Sequence, residues 1–230
     1  ERIAWGSFEV AEYRPAEFEV GAESDRPSYV RGDKATWTSR GAFLFGAPMS
    51  GAKADVVVSR ARTWFSVPEH ASFEISDEPY LRDREEHGRR ADVVEQHQVT
   101  LDARGLATTS APLTMKGQHG PESLSFHLDV TDLSRQVIST STTAIVHPAE
   151  HYVGIELEDR FVDKGTKLAP RLLALNPRGD RVEGAVIDVE LIRRSWAVAK
   201  QAAGVDAATT IATPVDTVAA RCRGLSGKQP

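Results

Sequence analysis

An internal repeat constrains the fold of this chain more than any other feature of its sequence. Residues 20–23 (Val-Gly-Ala-Glu) recur as 153–156 (Val-Gly-Ile-Glu), and residues 51–56 (Gly-Ala-Lys-Ala-Asp-Val) recur as 184–189 (Gly-Ala-Val-Ile-Asp-Val). Both matches have the offset of 133 residues that separates position 21 from position 154, so no gap intervenes. A register that is kept over this distance indicates two copies of one domain.

The repeated block has the side-chain pattern of β-strands. Apolar and polar residues alternate at 18–20 and again at 152–157, as they do in a strand with one buried face. Glycines at matching positions of the two copies mark the turns between strands. No stretch of the chain has the period of an amphipathic helix. The chain is therefore predicted to be all-β, with tandem antiparallel, immunoglobulin-like β-sandwiches.

The pattern also gives the positions of individual elements. Strands are predicted at 18–20, 34–45 and 54–61 in the first copy and at 152–157, 167–175 and 185–192 in the second. The first copy continues with predicted strands at 72–75, 93–101, 124–130 and 137–146. Two stretches are predicted to be loops: the charge-rich residues between 77 and 98, and the Ala-, Thr- and Gly-rich residues 197–216.

These elements divide the chain into three parts. Residues 1–15 are predicted to be the terminal strand of a preceding domain, because a strand-like stretch is followed there by Arg14-Pro15, much as the strand at 137–146 is followed by His147-Pro148. Residues 16–148 are predicted to form one complete sandwich. Residues 149–230 are predicted to form a second sandwich that is truncated at its C-terminal end.

Composition excludes several classes of protein. The 28 Lys and Arg residues against 33 Asp and Glu give a net charge of −5, so the chain lacks the basic balance of a dedicated nucleic-acid-binding protein. Its single cysteine, Cys222, excludes a disulfide scaffold and a cysteine-rich zinc site within the chain. No run of about 18 apolar residues, the length needed to span a membrane, is present.

Three features could carry chemistry or binding, and each has a simpler explanation. His147 and His151 stand four residues apart, but the intervening Pro148 and a joint between strands do not bring two imidazoles together around a metal. Residues 31–33 and 178–180 both spell the cell-adhesion tripeptide Arg-Gly-Asp, and both fall where turn chemistry explains them. No residue is therefore predicted to be catalytic or to bind a cofactor or a metal, and the chain is predicted not to be an enzyme.

Four segments carry a resemblance to a known family. They are 8–20 (Phe-Glu-Val-Ala-Glu-Tyr-Arg-Pro-Ala-Glu-Phe-Glu-Val), 42–52 (Ala-Phe-Leu-Phe-Gly-Ala-Pro-Met-Ser-Gly-Ala), 130–137 (Val-Thr-Asp-Leu-Ser-Arg-Gln-Val) and 146–154 (Val-His-Pro-Ala-Glu-His-Tyr-Val-Gly). They are similar to segments of bacterial alpha-2-macroglobulin family proteins. The resemblance implies seven-stranded macroglobulin-like (MG) domains in a large protein that traps proteases. In that family a bait segment is cut, the molecule rearranges, and in many members a thioester then bonds to the attacking protease.

The resemblance implies a supporting role for this chain. The family's thioester motif, a cysteine two residues ahead of a Glu-Gln pair, is absent, because Cys222 is followed by Arg-Gly-Leu. The predicted function is that of a non-catalytic scaffold segment of a broad-spectrum protease inhibitor, with bait and thioester regions outside this chain. The predicted partners are neighbouring domains of the parent protein and, through the parent, target proteases. No nucleic acid, small-molecule substrate or cofactor is expected.

The resemblance further implies a location and a role for the cysteine. Family members lie on the periplasmic side of the bacterial inner membrane, often as lipoproteins. Related proteins often have a second cysteine downstream in this domain, so Cys222 is a candidate for a disulfide whose partner lies beyond Pro230. The other interpretation is a buried free thiol that acts as a small apolar residue.

Two other functions use the same architecture. Tandem β-sandwiches also build adhesins and carbohydrate-binding modules of bacterial surface proteins, which a sugar bound over aromatic rings or a calcium ion among loop carboxylates would favour. An accessory domain of a glycan-active enzyme is the third interpretation.

Overall fold

A computed structural model describes residues 15–75, 91–114, 120–159, 161–204 and 207–227, with side chains described outside 199–211. The predicted terminal strand at 1–15, apart from Pro15, and most of the charge-rich stretch after residue 76 lie outside these residues. Within the described ranges no helix is long and apolar enough to cross a membrane.

The described residues form twelve strands and one short 3-10 helix, so the predicted all-β fold is confirmed. The 3-10 helix spans Pro68–His70. The strands are β1 (Phe18–Ser24), β2 (Ser28–Val30), β3 (Lys34–Phe43), β4 (Lys53–Arg62), β5 (Asp92–Thr100), β6 (Leu106–Pro112), β7 (Glu122–Thr131), β8 (Val137–His147), β9 (Tyr152–Glu156), β10 (Arg171–Leu175), β11 (Val186–Gly204) and β12 (Ala207–Leu225).

The chain divides into two compact units. The first holds the described residues up to Phe65 and those between 91 and Ala149, and it contains two sheets. Sheet A has the order β1-β3-β6 and sheet B the order β2-β8-β7-β4-β5. Neighbouring strands are antiparallel except β2 and β8, which run parallel.

The core of the first unit lies between sheets A and B. Every second residue along β3 and β7 is buried, as the two-residue period of a strand requires. Trp37 of β3 stacks on Phe126 of β7, with ring centroids 5.2 Å apart and an angle of 13° between the planes. This contact joins the inner faces of the two sheets. Valine and leucine side chains from β4 and β7 fill the space around it.

The turn between β5 and β6 holds one end of sheet A in place. The Asp102 carboxylate accepts hydrogen bonds from the backbone N–H groups of Arg104 (2.8 Å) and Leu106 (2.9 Å). Gly105 has a φ of 73°, and its carbonyl accepts the N–H of Gly41 in β3. A side chain at position 105 would bring a Cβ atom to 2.4 Å from the Gly41 carbonyl oxygen, so glycine is required by both its conformation and its surroundings.

The second unit begins at Glu150 and also contains Ser66–Ile75, a segment that the sequence places between β4 and β5. The predicted strand at 72–75 forms only an isolated antiparallel bridge, in which Glu74 and Ile155 exchange backbone hydrogen bonds of 2.8 and 3.0 Å. Phe73 is 8% exposed and lies against Gly154 of β9 and under the guanidinium of Arg171. A ten-residue segment of the first copy therefore belongs to the second unit and contributes the buried Phe73 to it.

The predicted loop at 197–216 is wrong, because β11 and β12 run through it as one long antiparallel hairpin. Its two strands pair from Val186↔Leu225 to Gly204↔Ala207. Among the hairpin side chains that the structure describes, three cross-strand ion pairs are present: Asp188–Arg223, Glu190–Arg221 and Arg194–Asp216. Alanine and glycine concealed the strand pattern here, whereas opposite charges facing each other across the strands support the register.

Replacing Gly105 with alanine is expected to lower the free energy of unfolding by more than the about 1–2 kcal/mol that a left-handed non-glycine residue costs. The excess arises from the overlap with the Gly41 carbonyl oxygen. Gly32→Ala is the matched control, because Gly32 has a φ of 94° and nothing within 4 Å of an added Cβ. Urea denaturation of the two variants measures the difference. Equal losses of stability would contradict the close approach at Gly105.

Candidate functional site

Two ionisable side chains are buried where β7 begins and β8 ends. Glu122 is the first residue of β7, lies opposite Arg62 of β4 and Val146 of β8, and is 4% exposed. Burial raises the pKa of its carboxyl group, and the positive charge of Arg60 opposes that shift, with Nη1 3.9 Å from Glu122 Oε2. Sequence reasoning missed this site, although continuing the buried alternation of β7 back by two residues from Leu124 would have placed Glu122 on the inner face.

His147 is the last residue of β8 and is 3% exposed. Its ring meets the ring of Phe65 edge to face at 5.8 Å, and burial lowers the pKa of the imidazole. Because Glu122 lies opposite Val146, the next residue along β8 projects to the other face of sheet B. The structure therefore does not bring the buried acid and the buried base together as a proton-transfer pair.

The histidine pair considered for a metal does not form a ligand set. His151 lies exposed just before β9, whereas His147 is buried in β8. Among the described residues no group of three or more His, Cys, Asp or Glu side chains is placed to hold a metal ion.

Both Arg-Gly-Asp tripeptides form turns in which the aspartate is engaged within the turn. Asp33 Oδ2 accepts hydrogen bonds from the backbone N–H of Val30 (3.0 Å) and from Arg26 Nη1 (3.2 Å), and Gly32 has a positive φ. At the second site, the Asn176 side-chain oxygen accepts the backbone N–H of Arg178 (2.9 Å) and of Asp180 (3.0 Å).

The carboxylate of the second tripeptide has partners of its own. Asp180 Oδ2 accepts Asn176 Nδ2 at 2.9 Å and Arg178 Nε at 3.2 Å, and these contacts lower the pKa of Asp180. The geometry thus supports the turn chemistry that the sequence predicts at both tripeptides.

Cys222 lies on β12, opposite Val189 of β11, and its thiol is free and exposed. The interpretation of Cys222 as a buried apolar residue is therefore wrong. The long hairpin explains the difference, because β11 and β12 pair with each other and most of their described side chains face solvent. A disulfide with a partner outside the chain stays a prediction.

Two depressions in the described surface are candidate binding sites. One crosses the outer face of sheet A, where Gly21 has no side chain and Glu19 and Arg40 form an ion pair of 3.1 Å. The other lies beside β9 and is lined by residues that include Glu74 and Glu156. No aromatic ring lines either depression among the described residues, so neither has the stacking surface that sugar-binding sites use.

Glu122→Gln is expected to change how stability depends on pH. The folded protein holds a proton on Glu122 more tightly than the unfolded chain does, so this contribution is fully present below the unfolded pKa of about 4.3 and is lost as pH rises through the folded value. Glutamine keeps the shape without titrating. In urea denaturation from pH 4 to 7, the free energy of unfolding of the variant should therefore increase relative to that of the wild type as pH rises.

Asp102→Asn provides the comparison with opposite sign. Backbone hydrogen bonds from Leu106 and Arg104 lower the pKa of Asp102, so its contribution is present above the unfolded pKa and is lost as pH falls. The free energy of unfolding of the wild type should increase relative to that of this variant as pH rises. A Glu122→Gln difference that does not vary with pH would show that the carboxyl group is not buried in solution.

Comparison with known proteins places this fold in context. No family model matches the chain. An alpha-2-macroglobulin homolog from Nostoc sp. is 24% identical over 189 residues, which are 81% of this chain and 10% of the relative. The chain thus corresponds to about a tenth of that protein's length.

Solved structures of bacterial alpha-2-macroglobulins have the same fold. The native conformation of the Escherichia coli protein matches with a TM-score of 0.60 at 17% identity, over 94% of this chain and 14% of that one. The Salmonella protein reacted with methylamine matches with a TM-score of 0.60 at 15% identity, over 94% of this chain and 15% of that one. The resemblance that the sequence predicted is confirmed: the chain is similar in sequence to an alpha-2-macroglobulin homolog and in fold to bacterial alpha-2-macroglobulins.

Proposed function

We propose that this chain is a non-catalytic scaffold segment of a bacterial alpha-2-macroglobulin-like protease inhibitor, with the bait and thioester regions outside it. The observation that carries the proposal is the match to bacterial alpha-2-macroglobulin structures over 94% of the chain. A segment that follows the fold of the matched protein along 94% of its own length, and corresponds to about a seventh of the matched chain, fits one stretch of a multidomain protein.

The chemistry of the described residues agrees with a scaffold role. Glu122 and His147 lie on opposite faces of sheet B, the aspartates of both tripeptides are held by their own turns, and the exposed Cys222 is followed by Arg-Gly-Leu rather than by the thioester sequence. The aspartates stabilise their turns. Neither the aspartates nor Glu122, His147 and Cys222 form the nucleophile–base pair that covalent catalysis requires.

The mechanism we propose is mechanical. Close packing across the sandwich, centred on the stacked rings of Trp37 and Phe126, gives the first unit a rigid core. Rigid domains can hold the distances between the parts of a larger protein while its shape changes elsewhere. A matched structure is that of the Escherichia coli protein activated by porcine elastase, with a TM-score of 0.60 at 17% identity over 94% of this chain and 19% of that one.

The partners and location follow from the family. We propose contacts with neighbouring domains of the parent protein and, only through the parent, with target proteases. Two matched structures are of the Escherichia coli protein activated by porcine elastase and by trypsin. These two enzymes are therefore the first candidates for target proteases. We also propose that the parent works on the periplasmic side of the inner membrane, as a lipoprotein in the manner of its family.

Protease inhibition tests the proposal directly. The longer protein that contains this segment should reduce cleavage of a protein substrate by elastase and by trypsin, whereas the segment alone at equal molar concentration should leave both activities unchanged. Stoichiometric inhibition by the isolated segment would contradict the scaffold role. Absence of inhibition by the longer protein would contradict the family function.

A tandem β-sandwich adhesin or carbohydrate-binding module is the alternative. Binding of the segment to immobilised glycans, or a calcium-dependent rise in its melting temperature, would favour this alternative. The two depressions without aromatic rings argue against a stacked sugar at either place. Hydrolase activity of the isolated segment would contradict both functions.

A further inference from the structure

Three buried polar atoms on the inner face of sheet A have no hydrogen-bond partner among the described residues. They are Trp37 Nε1, Ser39 Oγ and Thr109 Oγ1. Trp37 and Ser39 are fully buried, and Thr109 is 6% exposed. Buried polar groups in folded proteins almost always have a partner, either a protein atom or an ordered water, so three orphaned atoms on one face require an explanation.

The strand register brings the three side chains to one place. Trp37 of β3 lies directly opposite Thr109 of β6, and Ser39 is two residues further along β3 on the same face. Directly opposite Cβ atoms are about 5 Å apart in an antiparallel pair, whereas diagonal neighbours such as Ser39 and Thr109 are about 7–8 Å apart. A water oxygen that bonds to two groups at about 2.9 Å each joins atoms up to about 5.8 Å apart. Because each hydroxyl oxygen lies one bond beyond its Cβ atom, one water can bridge Ser39 and Thr109 when their side chains turn towards each other.

The side chains beside the indole on sheet A are small. The inner face of β3 and β6 around Trp37 carries small residues: Ala35, Ser39, Ala107, Thr109 and Ala111. The ring itself is fixed, because it stacks on Phe126 at 5.2 Å. Rotation of the indole towards solvent would break this stacking, so the N–H has to find its acceptor inside the sandwich.

We propose that one internal water molecule binds between sheets A and B and is held by Trp37, Ser39 and Thr109. The water accepts a hydrogen bond from the indole N–H. It also accepts a hydrogen bond from one of the two hydroxyl groups of Ser39 and Thr109, and it donates one of its own hydrogens to the oxygen of the other hydroxyl. Three protein partners are the typical number for a buried water. The same arrangement gives a hydrogen-bond partner to Ser39 and Thr109, the two buried hydroxyl side chains of β3 and β6.

The sign of a stability change tests the proposal. If the water is present, Ser39→Ala and Thr109→Val each remove one of its partners, and the equilibrium constant for unfolding should rise about fivefold or more. If the site is dry, each hydroxyl is a buried group without a partner, and its removal should leave the constant unchanged or lower it.

Matched controls lie on the outer face of the same two strands. Thr38→Val on β3, and Thr108→Val and Ser110→Ala on β6, remove hydroxyl groups from exposed positions. These variants should change the unfolding constant by no more than about twofold. They correct for the general effect of replacing Thr or Ser within a strand.

A crystal structure of the chain at high resolution provides a direct measurement. We expect an ordered water within about 3.2 Å of Trp37 Nε1, Ser39 Oγ and Thr109 Oγ1. Electron density for this water together with destabilisation by both inner-face variants supports the proposal. An unoccupied site, or inner-face variants that are as stable as the wild type or more stable, overturns it.

Discussion

The stacking of Trp37 on Phe126 is the contact on which the first unit depends. Each ring stands in the middle of a strand whose alternate residues are buried, so the pair lies at the centre of the sandwich and joins β3 of sheet A to β7 of sheet B. This part of the core combines one large ring with small alanine, serine and threonine side chains, whereas a layer of leucine and valine has side chains of similar size. The Trp37 ring reaches the Phe126 ring of sheet B, and its neighbours on β3 and β6 have small side chains.

The proposed function agrees with this construction. A scaffold segment needs domains that keep their shape, and polar groups that secure turns rather than react. The ionisable groups with shifted pKa values divide accordingly. The carboxylates of Asp102 and Asp180 accept hydrogen bonds in turns, Asp188 and Asp216 pair with arginines across the hairpin, and Glu122 and His147 are buried at one end of sheet B.

The sequence predicted the parts of the fold in which apolar residues alternate strongly. The predicted strands at 34–45, 54–61, 124–130 and 137–146 correspond to β3, β4, β7 and β8, and the internal repeat marked the matching strands of the second unit. Strand β6 was missed because the residues on its inner face are small, so its alternation is weak in hydrophobicity. The long hairpin was missed because its register depends on cross-strand pairs that are distant in the sequence. Glu122 lay within reach of the pattern, but its arginine neighbours on β4 became visible only in the structure.

The segment Ser66–Ile75 has a consequence for the order in which the chain folds. Its partner Ile155 lies 81 positions after Glu74, so the bridge between them cannot form until that length of chain has been made. Contacts between residues this far apart in the sequence slow folding, because the loop between them must close first. During synthesis Phe73 is made long before β9. Until β9 is available, the Phe73 ring is exposed to water or packs against other residues. The second unit can therefore fold only after the first copy has been synthesised, because it combines a segment of that copy with residues that follow it.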